Sequence, residues 1–154
     1  MARPNMKRLF ASSKLKVGHI LFEFSTPGIG QILKAANVDF VFIDMEHSGF
    51  GISELKSIVT SLRAAELPSL VRPPSKNYHH IARALDVGAD SLILPMVASA
   101  EEAEDIIQHM SYPPLGNRGI ALGVAHDGYV PKTPAAALAA ANRRIAMAAL
   151  IETA

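Results

Sequence analysis

The chain alternates short apolar runs with segments in which apolar positions recur three and four residues apart. Residues 17–24 (VGHILFEF) form the first run, and Ser25, Thr26, Pro27 and Gly28 end it with turn and capping types. A short helix is predicted over 29–36. A second run, 39–44 (DFVFID), is aromatic and β-branched and leads into Glu46, His47, Ser48 and Gly49. Within 53–65, Leu55, Ile58, Val59 and Leu62 share one helical face, with Ser53 as the N-cap. The pattern then repeats. A strand over 68–72 is stopped by Pro73 and Pro74, and a helix over 78–87 ends at Gly88 as its C′ residue. Residues 91–97 (SLILPMV) read as a strand, and 100–110 as a helix whose acidic first turn suits the macrodipole. Residues 112–131 are rich in Gly and Pro and predict a long ordered loop. An Ala-rich helix over 134–142 and a fifth strand over 145–151 complete the pattern, ending at Glu152.

Strand–helix repetition of this kind implies a parallel sheet with helical crossovers, either an open doubly wound sheet or a (β/α)8 TIM barrel. The first strand is not followed by Gly-x-Gly-x-x-Gly, which speaks against the dinucleotide-binding version. Polar residues instead recur just past strand ends, at Glu23, residues 44–47, Arg72 and Glu152. That rim is where barrel enzymes place their active sites. A complete barrel needs about 250 residues, whereas five strands fill these 154. The expectation is therefore one partial barrel domain over 1–154, truncated after the fifth strand, with strands six to eight missing.

Composition narrows the partners. The 49% hydrophobic content fits strands buried on both faces. With 15 basic and 14 acidic residues, the net charge of +1 gives no electrostatic attraction to nucleic acid or an anionic membrane. Cysteine is absent, which excludes disulfides, thiolate metal sites and cysteine nucleophiles. No apolar run approaches the ~18 residues of a membrane span, and residues 1–16 lack the apolar core of a signal peptide. A cytoplasmic location is the default.

His47, Arg72 and Glu152 fall at the same end of three parallel strands, so a barrel would converge a base, a cation and a carboxylate on one pocket. A Schiff-base mechanism would need a desolvated lysine at a strand end. Lys76 lies beyond Pro73 and Pro74 in a polar turn, and that route is rejected. His79 and His80 read as a solvated pair, His109 as a helix C-terminal residue, and His126 and Asp127 as loop surface.

Six segments occur in order along the chain: 40–48 (FVFIDMEHS), 70–73 (LVRP), 85–88 (LDVG), 92–97 (LILPMV), 112–119 (YPPLGNRG) and 151–153 (IET). In these the sequence resembles the HpcH/HpaI aldolase family, class II aldolases that split 4-hydroxy-2-oxo acids into pyruvate and an aldehyde. The resemblance implies that His47 is the active-site base and that Asp86 hydrogen-bonds it. It implies that Arg72 faces the pyruvate oxygen that develops negative charge, and that Arg118 contacts substrate near the aldehyde end. Glu152 matches the first of two protein carboxylates holding a divalent cation, Mg2+, Mn2+ or Co2+. The implied partners are a small 2-oxo acid and an aldehyde, and the implied assembly is a homo-oligomer, hexameric in the family, whose neighbouring subunits complete the site.

Two departures stand out. The family's substrate-binding glutamine, two residues before the metal glutamate, is Leu150 here. The second metal carboxylate belongs to a segment after the next strand, which the 154 residues do not reach. Two other readings compete: a citrate-lyase-like enzyme acting on acyl-CoA thioesters, and an inactive half-barrel. For the 154 residues alone, little turnover and poor solubility are expected.

Overall fold

The computed structural model describes residues 5–130 and 132–152. Residues 1–4 of the basic N-terminal stretch, Pro131 of the long loop and Thr153 of the last family segment lie outside them. Among the described residues there are five strands: β1 (Gly18–Leu21), β2 (Phe40–Asp44), β3 (Ser69–Arg72), β4 (Ser91–Leu94) and β5 (Met147–Ala149). All pair in parallel, in the order β1-β2-β3-β4-β5. Sequential order decides between the two architectures, because a doubly wound sheet reverses its strand order at a switch point whereas a barrel never does. The fold is the TIM-barrel type, and β1 and β5 are the two edges of its five-stranded sheet.

The crossover helices follow the apolar periodicity. They are α2 (Ile29–Ala35), α3 (Ile52–Ala64), α4 (Tyr78–Asp86), α5 (Ala100–Met110) and α6 (Pro134–Arg144), with a further short helix, α1 (Met6–Phe10), that the pattern did not announce. Leu55, Ile58, Val59 and Leu62 of α3 are all buried. They pack in one core with Val41, Ile43, Val71, Ile81, Leu85, Leu92 and Leu94. The N-cap of α3 is Gly51 rather than Ser53: Glu54 reaches back and its Oε2 accepts the Gly51 N–H at 3.1 Å. At the far end of α4, Gly88 has φ +113° as expected. Its N–H reaches the Leu85 carbonyl (3.0 Å), and the Ala89 N–H reaches that of Ala84 (3.1 Å), the Schellman pattern that closes a helix.

Burial falls off toward the edges. Strands β2, β3 and β4 are mostly buried, whereas β1 exposes three of its four residues. Leu15, Val17, Ile20, Phe22 and Phe24 carry apolar surface around β1. The long loop holds a 3-10 turn at Ala125–Asp127 and is pinned to α6 by Asn142, which accepts the Tyr112 N–H and donates to the Tyr112 carbonyl, each at 2.9 Å. Among the described residues no helix is long and apolar enough to cross a membrane.

Candidate active site

The parallel register of β2 and β3 makes Asp44 and Arg72 Cα partners at the C-terminal ends of both strands. Their side chains form a two-pronged ion pair, Arg72 Nε donating to Asp44 Oδ1 at 2.8 Å and Nη2 to Oδ2 at 2.5 Å. The third guanidinium nitrogen, Nη1, lies 3.1 Å from Glu46 Oε2, and the Phe42 ring sits beneath the group with its centroid 5.6 Å from Cζ. Arg72 thus has one available orientation. Its hydrogen bonds to Asp44 hold its pKa above the ordinary arginine value against the opposing effect of burial, and the charges of Asp44, Glu46 and Glu152 add to this.

Asp44 also organises the loop that carries His47. Burial pushes its carboxyl upward, but the hydrogen bonds from Arg72 and from the Glu46 and His47 N–H groups outweigh that and hold it below the usual carboxylate range. Those N–H contacts are 2.9 and 3.4 Å long, and the Asp44 carbonyl accepts from Ser48 Oγ at 2.5 Å. The His47 side chain, in the loop just past β2, is 70% exposed, with Nε2 3.6 Å from Glu46 Oε2. That buried oxygen is the one that pairs with Arg72 Nη1.

Glu152, beyond β5, joins the same rim. Its Oε2 accepts the Met96 N–H at 3.1 Å, and its charge acts on Arg72. His47, Arg72 and Glu152 therefore share one end of the sheet, as the strand-end pattern predicted.

Asp86 and Arg118 do not join them. Helix α4 starts at the C-terminal end of β3 and runs back to the N-terminal end of β4, so its last residue, Asp86, lies at the opposite rim. There Asp86 Oδ1 accepts from Arg118 Nη2 at 2.5 Å. Arg118 is buried, with Cζ 4.5 Å from the Tyr112 ring centroid and its Nε without a partner. His126, expected on the loop surface, is buried beside them, its Nε2 2.6 Å from the Ala121 carbonyl. Within one chain, then, the expected Asp86–His47 hydrogen bond does not form, and Arg118 does not reach the rim that holds Arg72. Crossover direction is the reason: one strand–helix step reverses the end of the sheet at which a residue emerges.

The sequence reading also missed groups that matter here. Asp44 stood in the sequence only as one of the polar strand-end positions 44–47, and only the β2–β3 register reveals it as the anchor of Arg72. The left-handed backbone of Met96 (φ +50°) leaves no trace in a sequence.

For a divalent cation, the rim offers the right donor chemistry, with hard carboxylate oxygens and a histidine in place of thiolates. Glu152, whose Oε2 accepts the Met96 N–H, and Glu46, whose buried Oε2 is paired with Arg72 Nη1, are carboxylates of this kind. Among the described residues, no three His, Asp or Glu side chains gather into a complete cage.

Comparison with known proteins agrees with this picture. The chain is 39% identical over 132 residues to a 4-hydroxy-2-oxovalerate aldolase of Novosphingobium aromaticivorans, covering 83% of this chain and 48% of the relative. It is 33% identical over 130 residues to a hydroxypyruvate/pyruvate aldolase of Roseovarius nubinhibens, covering 84% and 50%. The solved HpcH/HpaI aldolase of Desulfitobacterium hafniense superposes with a TM-score of 0.87 at 31% identity, over 96% of this chain and 56% of that one. The chain spans about half the length of the curated relatives it matches. Residues 22–154 match the HpcH/HpaI aldolase/citrate lyase family, and with the sequential parallel sheet and the shared rim of His47, Arg72 and Glu152, the chain belongs to that family.

Proposed function

We propose that the protein containing this chain cleaves 4-hydroxy-2-oxo acids into pyruvate and an aldehyde. The observation that carries the proposal is Arg72, locked by Asp44 at the strand ends and paired with Glu46 Oε2, the same oxygen that lies 3.6 Å from His47 Nε2. Retro-aldol cleavage removes the 4-hydroxyl proton, turns C4 into the aldehyde carbonyl, and sends the C3–C4 electron pair into the enolate of pyruvate. His47 is the proton acceptor, exposed at the strand-end rim. Arg72, unable to swing away, presents N–H donors to the oxygen that gains charge. A divalent cation held by Glu152 would supply Lewis-acid stabilisation of that oxygen. Leu150 offers no side-chain hydrogen bond where the family has glutamine, so binding of the 2-oxo acid depends more heavily on Arg72.

Asp86 enters this proposal from a second copy. It lies at the wrong rim for its own His47, is only partly covered, and already carries the polarising partner Arg118. A homo-oligomer that seats the N-terminal rim of one subunit over the C-terminal rim of another would bring Asp86 and Arg118 to a neighbour's His47.

The test is pyruvate release from 4-hydroxy-2-oxo acids by the full-length protein, followed with lactate dehydrogenase. Release should cease with EDTA, return with Mg2+, Mn2+ or Co2+, and be lost in His47→Ala. Undiminished release from metal-free protein or from His47→Ala would overturn the proposal.

A further inference from the structure

The turn after β4 is held from two sides at the C-terminal rim. Met96 adopts left-handed backbone, φ +50°, which a residue with a Cβ disfavours. Its side chain is half exposed, so packing does not hold it there. Hydrogen bonds do. Its N–H donates to Glu152 Oε2 at 3.1 Å, and its carbonyl accepts from Lys76 Nζ at 2.8 Å. Lys76 is in turn gripped by Glu102 Oε1 at 2.5 Å, while Glu102 Oε2 accepts the Ala98 N–H at 2.8 Å. Two connections therefore meet at Met96, the β3–α4 loop through Lys76 and the end of β5 through Glu152, while Glu102 in the first turn of α5 braces Lys76 and the Ala98 N–H.

An exposed Lys–Glu pair on its own contributes little. What distinguishes Lys76 is the second bond, to the carbonyl of a strained residue whose own N–H fixes the rim carboxylate. We propose that Lys76 is a positioning residue for Glu152, acting through Met96. Lys76 secures the left-handed turn, and the turn aims the N–H that orients the carboxylate. Without Lys76 the Met96 backbone relaxes toward the extended region, its N–H rotates away, and Glu152 is free to sample other rotamers. This rests on the reading of Glu152 as a ligand for a divalent cation. It gives Lys76 a part in the site that is neither Schiff-base chemistry nor surface solvation.

Mn2+ binding by the full-length protein tests it, with free Mn2+ measured by electron paramagnetic resonance. Lys76→Met should bind Mn2+ about 10-fold more weakly, the scale on which partners of metal ligands act, with an unchanged thermal midpoint. Lys76→Arg, which can still donate to the Met96 carbonyl, should restore most of the affinity. Wild-type Mn2+ affinity in Lys76→Met overturns the proposal. If Lys76→Met does not fold, Glu102→Gln loosens the same grip and should weaken binding in the same direction; unchanged affinity there also overturns it. Glu152→Gln separates the two levels. Unchanged binding in that variant removes Glu152 as a ligand altogether, whereas impaired binding there with normal binding in Lys76→Met removes only the role of Lys76.

Discussion

Asp44 and Arg72 are partners twice over: their Cα atoms are paired in the β2–β3 register, and their side chains close a two-pronged ion pair at 2.8 and 2.5 Å. The strand pairing that builds the sheet therefore also aims the guanidinium. A lysine at position 72 could meet only one carboxylate oxygen and could not hold the fork.

Removing one member of this pair should be more damaging than replacing both. Asp44→Asn leaves a mostly buried guanidinium partly uncompensated, and a loss of about 3 kcal/mol is expected. Arg72→Lys should keep more of the stability but lose most of kcat. Urea unfolding and pyruvate assays on the full-length protein check the two effects separately. An Asp44→Asn variant as stable as wild type would show that the pair does not hold the rim.

Asp86 working on a neighbour's histidine predicts rescue by mixing. His47→Ala and Asp86→Asn homo-oligomers should each be severely impaired. Unfolded together and refolded, they should regain activity, because some hybrid interfaces carry an intact His47 opposite an intact Asp86. A mixture no more active than its components would place Asp86 outside the reaction.

Acid should weaken the fold in a defined window. His126 is buried, which depresses its pKa in the folded state; the Ala121 carbonyl opposes this, the Arg118 charge reinforces it, and Asp127 and Asp86 oppose it. The unfolded chain then takes up the proton first, so stability is complete above the ordinary histidine pKa of about 6.5 and is lost as pH falls below it. His80 is shifted the same way, by burial first and by the charges of His79 and Arg83 next. Asp44 is held low, so its contribution stays intact until the pH drops through the carboxylate range. Urea midpoints measured from pH 8 to pH 5 should fall, and His126→Gln should flatten the slope. An identical slope in that variant would refute the assignment.

Two glycines separate packing from propensity. In an exposed helix, Gly→Ala stabilises by about 1 kcal/mol. At Gly30 of α2, whose N–H bonds Ser61 Oγ at 3.0 Å, an added Cβ would collide with the Ser61 backbone carbonyl of α3. Gly30→Ala should therefore destabilise, by about 2 kcal/mol, as overpacking does. At Gly49 an added Cβ meets nothing, and Gly49→Ala should be close to neutral. Thermal unfolding distinguishes the two.

The strands and crossover helices could be read from the chain because each rests on local periodicity, as Leu55, Ile58, Val59 and Leu62 illustrate. The shared rim of His47, Arg72 and Glu152 was legible for a related reason: a parallel sheet sends every strand end the same way. Relations between neighbouring elements were hidden. The Asp44–Arg72 pair depends on a one-residue register, the Gly51 cap on a side chain that folds back, and the Met96 turn on a dihedral angle. The displacement of Asp86 to the far rim could have been deduced, since a residue at the end of a crossover helix cannot share a rim with a residue at a strand end. The family resemblance drew attention to its role and away from its position.

Helix α4 spans nine residues, about 13 Å of rise, and that length has a kinetic meaning. It keeps a chain's acid away from the same chain's base, so on the proposed mechanism turnover is a property of the contact between subunits. Specific activity should then fall on dilution, as subunits separate, before any subunit unfolds. Control of catalysis by protein concentration would follow from the direction in which one helix runs.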